Sequence, residues 1–403
     1  MSPSSVAALL SLLLLPVAAT VAAAAMDPAE RETLFRVMEA VSSDRDWRAE
    51  SPDPCGGPWP GLECKPASGG GGNAASLMHV TRLDFGVEPN PTCKDAAAFP
   101  PEVFSLPRLQ SLFFVDCFTN PSAATALALP PPANLSASGL QQLSIRGNPA
   151  LSGTVPPELA GLRSLQVLTI SQNGLVRGGI PRGIGELTSL VRLDLSYNAL
   201  TGPVPPQIGE LKSLYLIMDN NPMGVPLPSE LGGLARLQEL RLAGSGYSGP
   251  IPEAFGRLAS LTTLSLQDNN LTGPIPAALA RLGRMYHLNL SNNALGGAVP
   301  FDAAFLRRLG QNLDLSGNSG LCLDDRSVLR GVGVGVGSCR GAGGTGGYGA
   351  GGDSSSAARG GVTGPGVMTR RGSGSGDSFL FGLFGPACVA VSCLFALNAH
   401  APY

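Results

Sequence analysis

The chain has 403 residues, 43% of them apolar and only 14% charged, with a formal net charge of −2 and high Gly (54) and Pro (35). That apolar fraction and near-neutral balance exclude a chain that is disordered throughout. They also offer no basic surface for nucleic acid.

The first element is an apolar run from Val6 to Ala25, with Leu12 to Leu15 at its centre and small residues closing it. Residues 1–25 read as a secretory signal peptide cleaved after Ala25, although no Lys or Arg precedes the run. Export makes the eight cysteines candidates for pairing. Cys388 and Cys393 lie in a second apolar run. The other six stand as Cys55 and Cys64, Cys93 and Cys117, Cys322 and Cys339. Pairing of neighbours is expected, each closing a short loop, although sequence alone permits other connectivities.

Residues 26–79 form an expected N-terminal cap. Asp27-Pro28-Ala29-Glu30 has the order of a helix start, with Asp at the N-cap and Pro in the first turn. Leu34, Val37, Met38 and Val41 then supply an apolar helical stripe. Trp47, Trp59 and the Cys55–Cys64 loop complete the cap. Residues 80–139 hold two irregular units, Leu83-Asp84-Phe85 and Leu112-Phe113-Phe114. The stretch Thr119 to Ser138, with Pro130-Pro131-Pro132, is predicted to bulge out as a loop.

Residues 140–321 carry the strongest pattern. An Asn column runs Asn148, Asn173, Asn198, Asn221, Ser245, Asn269, Asn293, Asn318, with spacings of 23 to 25 residues. Three residues before each stands Ile145, Ile170, Leu195, Met218, Leu242, Leu266, Leu290 or Leu315, and two residues earlier again a leucine, from Leu143 to Leu313. After the column comes an aliphatic-Pro pair, from Val155-Pro156 to Val299-Pro300. Alternation puts both aliphatics of a pair on one face of a short strand. One such strand cannot bury its apolar face alone, so the units must stack into a parallel sheet over a continuous core. An Asn at the strand exit can donate and accept, and so serves turn backbone along the stack. Cys117 falls in the same column, and Ser245 is the short rung.

Cys322 and Cys339 would close a C-terminal cap over 322–340. Residues 341–378 are a Gly/Ser-rich linker. Phe379 to Leu397 is an apolar run of 19 residues, long enough to span a bilayer. Six residues follow, so no kinase or other cytoplasmic domain is expected. Arg370 and Arg371 lie on the wrong side for a retained helix. Transmembrane helix and lipid-anchor signal both stay open.

The order helix, Trp, Cys55…Trp59-Pro-Gly-Leu…Cys64, Leu-x-Gly-x-Ile-Pro repeats and Gly-Asn-Ser-Gly-Leu-Cys322 resembles plant extracellular leucine-rich-repeat receptors. Leu112-Phe-Phe-Val-Asp-Cys117-Phe-Thr resembles the kinase-less receptor-like proteins of the Too Many Mouths and Piriformospora indica-insensitive type. The expected fold is an α/β solenoid of the plant-specific leucine-rich-repeat type. It has a parallel concave sheet, about ten repeats and disulfide-bonded caps at both ends. The resemblance implies a co-receptor at the plasma membrane that binds a secreted peptide or a receptor-kinase ectodomain, in development or microbial response. The alternative is an inhibitor of a cell-wall-degrading enzyme, of the polygalacturonase-inhibiting type.

Outward positions on the concave sheet give the binding candidates: Arg146, Arg192, Asp194, Tyr197, Asp219, Arg241, Gln267 and His287. Arg and Tyr are favoured at binding hot spots, and Arg192, Tyr197 and Arg241 are expected to form a central patch. Three sequons, Asn134-Leu-Ser, Asn270-Leu-Thr and Asn289-Leu-Ser, are glycosylation candidates. Asn289 lies between Leu288 and Leu290, so alternation points it out of the concave sheet. There are three histidines, His79, His287 and His400, and His287 lies on a strand face with Asn289 and no acid nearby in sequence. No catalytic residue, metal site or cofactor is expected.

Overall fold

The computed structural model describes residues 26–42, 45–67, 77–212, 215–323 and 335–339. The expected signal segment, the Gly/Ser linker and the apolar run Phe379 to Leu397 lie outside the described residues. Among the described residues no helix is long and apolar enough to cross a membrane.

Eleven strands form one sheet in strict chain order. They are β1 (Leu62–Pro66), β2 (Met78–Phe85), β3 (Ser111–Val115), β4 (Gln142–Arg146), β5 (Val167–Ser171), β6 (Arg192–Asp194), β7 (Tyr215–Ile217), β8 (Glu239–Arg241), β9 (Thr263–Ser265), β10 (His287–Asn289) and β11 (Leu313–Asp314). β1 runs antiparallel to β2, and every later pairing is parallel. The ten parallel strands are the expected repeats. Their register aligns Leu143 with Leu168, Leu168 with Leu193, and so on to Leu313, so one leucine column runs through the molecule. Both aliphatic columns are buried, with no member more than 2% exposed. Removing one such side chain from water stabilises the array by roughly 1.5–3 kcal/mol.

The Asn column is buried and works as a ladder. The Asn148 N–H donates to Oδ1 of Asn173 (3.1 Å), and the Asn173 N–H to Oδ1 of Asn198 (3.0 Å). Each later amide donates back to carbonyls of its own and the preceding turn, as Asn269 does to Leu266 (3.0 Å) and Leu242 (2.9 Å). Ser245 keeps the ladder continuous with one hydroxyl. Its Oγ accepts from the Asn221 N–H at 3.3 Å and lies 3.0 Å from the carbonyls of Met218 and Ala243.

The aliphatic-Pro pairs open short 3-10 turns along the outer edge, from Pro157–Gly161 to Ala277–Arg281. Neighbouring turns approach closely. A Cβ on Gly185 would stand 2.5 Å from the Gln207 carbonyl oxygen, which is why that position is bare. Two smaller sheets flank the main one, and the repeat pattern did not predict them. One has four strands, from Thr125–Ala126 to Ala199–Leu200; the other has five, from Ser248–Gly249 to Gly337–Ser338. The gap between them falls in the unit that follows Asn221, whose Pro222 and Pro226 have no N–H to give a ladder.

Helix α1 (Pro28–Val41) caps the N-terminal end. Asp27 accepts from the N–H groups of Ala29 (2.9 Å) and Glu30 (3.0 Å), and Leu34, Val37, Met38 and Val41 are fully buried. Glu30, in the first turn, is buried. It crosses to β2, where its carboxylate accepts from the Val80 N–H (2.9 Å) and meets His79 Nδ1 at 2.7 Å. All three neighbouring cysteine pairs are joined, Cys55–Cys64, Cys93–Cys117 and Cys322–Cys339. The expected bulge at Thr119 to Ser138 is corrected. Its Thr125–Ala126 strand joins the smaller sheet, and Leu127 and Leu135 are buried, so apolar anchors bind the insert to the solenoid.

Candidate concave interface

Three outward positions recur on each strand of the sheet. The first precedes the leading leucine: Gln142, Val167, Arg192, Tyr215, Glu239, Thr263 and His287 stand in register across β4 to β10. The second lies between the two aliphatics: Ser144, Thr169, Asp194, Ile217, Arg241, Ser265, Asn289 and Asp314. The third, just past the second aliphatic, is outward at Arg146 and Gln267 but buried at Ser171, Ser196, Asp219, Ala243 and Ser291.

The structure brings Arg192, Asp194, Asp219 and Arg241 together on β6 to β8 and the turns that leave them. Arg192 sits 3.5 Å from Asp194, and its guanidinium lies over the Tyr215 ring at 5.9 Å. Asp194 is also held by its own turn, accepting from the N–H (3.1 Å) and Oγ (2.6 Å) of Ser196. Arg241 reaches Asp219 at 2.9 Å and Glu239 at 3.8 Å. The outward placing of Asp219 is corrected: it is 2% exposed. Its carboxylate also accepts from the Ala243 N–H at 2.7 Å. Burial pushes its pKa above the ordinary carboxylate value, opposed by Arg241 and by that N–H. Asp219 therefore orients Arg241 and is not itself a contact surface.

The other candidates are spread out. Arg146 is exposed on β4 and donates to Gln172 Oε1 at 3.1 Å. Gln267 accepts from Ser265 Oγ at 2.6 Å. His287, half-buried on β10, has its pKa lowered by burial and then by Arg241, so it favours the neutral form. Sequence reasoning passed over Tyr215 and Glu239. Both occupy the position before the leading leucine that had already picked out Arg192 and His287, and that shared register was the available signal.

Tyr197 is the outlier. It stands at the strand exit, immediately before the Asn column, where each repeat from β3 onward has positive φ. The other residues there are Asp116, Gly147, Gln172, Asn220, Gly244, Asp268, Asn292 and Gly317. Gly has no Cβ, and Asn and Asp bond locally, so most of these tolerate the left-handed region. A tyrosine does not share those reasons. Tyr197 nevertheless has φ 55° and leaves its side chain 53% exposed. A shallow cleft of about 590 Å³ lies off this face, among the outer 3-10 turns, lined by Pro206, Glu230 and Arg257. Among the described residues no group of His, Cys, Asp or Glu could hold a metal ion.

The leucine-rich-repeat family matches twice, at residues 235–295 and 189–211. Those stretches are leucine-rich repeats, and the fold is a solenoid of that type. Among curated proteins of Arabidopsis thaliana, this repeat chain is 48% identical over 142 residues to Receptor like protein 29, 35% of this chain and 29% of that one. It is 33% identical over 144 residues to Piriformospora indica-insensitive protein 2, covering 34% of this chain and 31% of that one. It is 31% identical over 141 residues to the protein TOO MANY MOUTHS, covering 34% and 26%. The matched part thus spans under a third of the length of these relatives. Among solved structures the repeat chain superposes on the leucine-rich-repeat ectodomain of the Arabidopsis thaliana receptor kinase GASSHO1/SCHENGEN3 in complex with CASPARIAN STRIP INTEGRITY FACTOR 2. That match has a TM-score of 0.57 and 27% identity, covering 74% of this chain and 34% of that one. It also superposes on the plant peptide hormone receptor RGFR1 in complex with RGF2, with a TM-score of 0.53 and 25% identity, covering 70% and 48%. The repeat chain is therefore similar to plant receptor-like proteins in sequence and to ligand-binding receptor ectodomains in fold.

Proposed function

We propose that this chain is the extracellular recognition part of a plant cell-surface receptor-like protein. It binds a secreted peptide or a receptor-kinase ectodomain through the concave face of β6 to β8, with Tyr197 at the rim and Arg192 and Arg241 beside it. Signalling then passes through the partner.

The observation that carries this reading is Tyr197. Holding a bulky side chain in the left-handed region costs on the order of 1–3 kcal/mol. Here that cost keeps an aromatic ring in solvent. Aromatic and Arg side chains dominate binding energy because they bury much area with little freedom to lose. Arg192 and Arg241 are already oriented by Asp194, Tyr215, Asp219 and Glu239, so little ordering remains when a partner docks. The similar receptor ectodomains solved with peptide ligands support the class of partner.

Binding of the immobilised full chain to a panel of receptor-kinase ectodomains and secreted plant peptides tests the reading. The triple variant Tyr197→Gly, Arg192→Ala, Arg241→Ala is expected to lose binding while still melting cooperatively, because glycine suits the backbone at 197 and the one buried group left without its partner, Asp219, can take up a proton. Full binding by that variant overturns the patch, and absence of binding by the unaltered chain to every panel member overturns the function.

A further inference from the structure

We propose that Asn289 carries an N-linked glycan rooted on the concave sheet, which closes β9 to β11 to partners and leaves β2 to β8 as the open face.

Only one atom of the Asn289 amide serves the fold. Its Oδ1 accepts from the Ser291 N–H at 3.0 Å and from Ser291 Oγ at 2.7 Å. The same turn forms at Asp194, whose Oδ1 takes Ser196 N–H (3.1 Å) and Oγ (2.6 Å), and at Asp314, whose Oδ1 takes the Ser316 N–H (3.0 Å). At those two positions a second oxygen stands where Asn289 has Nδ2, and the turn is unchanged. The fold therefore asks for one acceptor oxygen and makes no use of the nitrogen. A sugar on Nδ2 leaves both hydrogen bonds intact. The side chain projects from the outward side of β10, in register between Ser265 and Asp314.

The other two sequons lie off this sheet. Asn134 is exposed in the short helix Pro132–Leu135. Asn270 is exposed at the start of a strand of the five-stranded sheet. Sugar at either leaves the concave face free. At Asn289 it does not: neighbouring strands lie only about 4.8 Å away on each side, so the first sugars overlie β9 and β11. The sequon thus sets a boundary on the face, with Tyr197, Arg192 and Arg241 on its open side.

The step is a transfer from a lipid-diphosphate-linked oligosaccharide. Asn289 Nδ2 forms a bond to the anomeric carbon, and the bond from that carbon to the diphosphate oxygen breaks. The lipid diphosphate leaves with the electron pair, and the proton lost by Nδ2 completes it. The reaction needs passage through the secretory pathway but no partner, so it stands or falls separately from the proposed function.

The test is expression of the full chain in plant cells, removal of sugar in ¹⁸O water by an amidase that hydrolyses the Asn–sugar linkage and leaves labelled Asp, and peptide mass spectrometry. Label is expected at Asn289, and an unlabelled Asn289 overturns the proposal whatever happens at Asn134 and Asn270. Coverage is read at His287, two residues away on the same side of β10. Its modification by diethyl pyrocarbonate is expected to be several-fold slower in the glycosylated chain than in Asn289→Asp. That variant keeps the turn as Asp194 and Asp314 do, which its unchanged melt checks. Equal rates at His287 overturn the closed zone.

Discussion

At Asn148, and at each rung after it, the chain leaves its strand over a buried polar side chain that gives and takes along the stack. At Cys117, one unit earlier, the same place holds sulfur. The Cys117 and Phe118 N–H groups donate to Asn148 Oδ1 at 2.8 and 2.9 Å, but Cys117 has no amide to pass the ladder on. It is joined to Cys93 instead. The aliphatic column changes there too: Phe85 stacks on Phe114 at 5.2 Å, and Phe99 and Phe118 pack on Phe114 at 5.4 and 5.6 Å. The regular repeats close their turns with hydrogen bonds that each neighbour completes. The first units add a covalent bond and aromatic area to the hydrogen bonds that Asn148 completes. A stacked array cannot end on an open rung, so its first units need closures that ask nothing of a preceding repeat.

The comparison breaks most completely in the shared core. Leu264→Asp puts a carboxylate into a position that is fully buried between Leu240 and Leu288. Truncation to Ala alone would cost about 2–5 kcal/mol, and an unpaired buried charge adds to that. Loss of the cooperative melt by circular dichroism is expected, and an unchanged melt would remove Leu264 from the core. Next in size is the N-terminal closure. Cys93→Ser with Cys117→Ser should cost about 2–4 kcal/mol, seen as a lower denaturation midpoint and as hydrogen exchange rising first around β2 and β3. If exchange rose instead across β9 and β10, the ladder and the disulfide would not be separate devices.

Smaller again is a single rung. Asn269→Ala strips the acceptor from the Ser245 (3.1 Å) and Tyr247 (2.9 Å) N–H groups and the donor from three carbonyls. Leaving such groups buried and unpaired costs about 1–3 kcal/mol. Ser245→Ala, with one hydroxyl to lose, should cost less than Asn269→Ala in the same urea titration. Equal costs would mean that the amide's extra bonds add nothing.

The repeats were legible because burial and register impose the same demand at Leu143 and at Leu288: period two in the strand and about two dozen residues between strands. The cysteine pairs followed from short loops in an oxidising compartment. The insert at Thr119 to Ser138 was misread because Leu127 and Leu135 sit outside any period, so nothing in the string marks them as anchors. Glu30 fitted a helix-start pattern, and its true partners, Val80 and His79, lie about fifty residues away. Asp219 looked outward because alternation was extended past the end of β7. The strand stops at Ile217, and the side chain two residues on turns under Arg241.

Asp219 also gives the smallest effect, and one whose sign decides which force governs the patch. Burial raises its pKa, while Arg241 and the Ala243 N–H oppose that rise. A carboxyl whose folded pKa lies above its unfolded value binds its proton more tightly in the folded chain. Its contribution to stability is then fully present below the ordinary carboxylate value and is lost as pH rises through the raised one. Asp219→Asn has no such titration. Taken from about pH 7 to about pH 4, the melting difference between the unaltered chain and Asp219→Asn should therefore move in favour of the unaltered chain. Movement the other way would mean that the ion pair with Arg241 outweighs desolvation. Arg241 would then be held by charge as much as by geometry, and a partner drawing on that charge would have to compete with Asp219 for it.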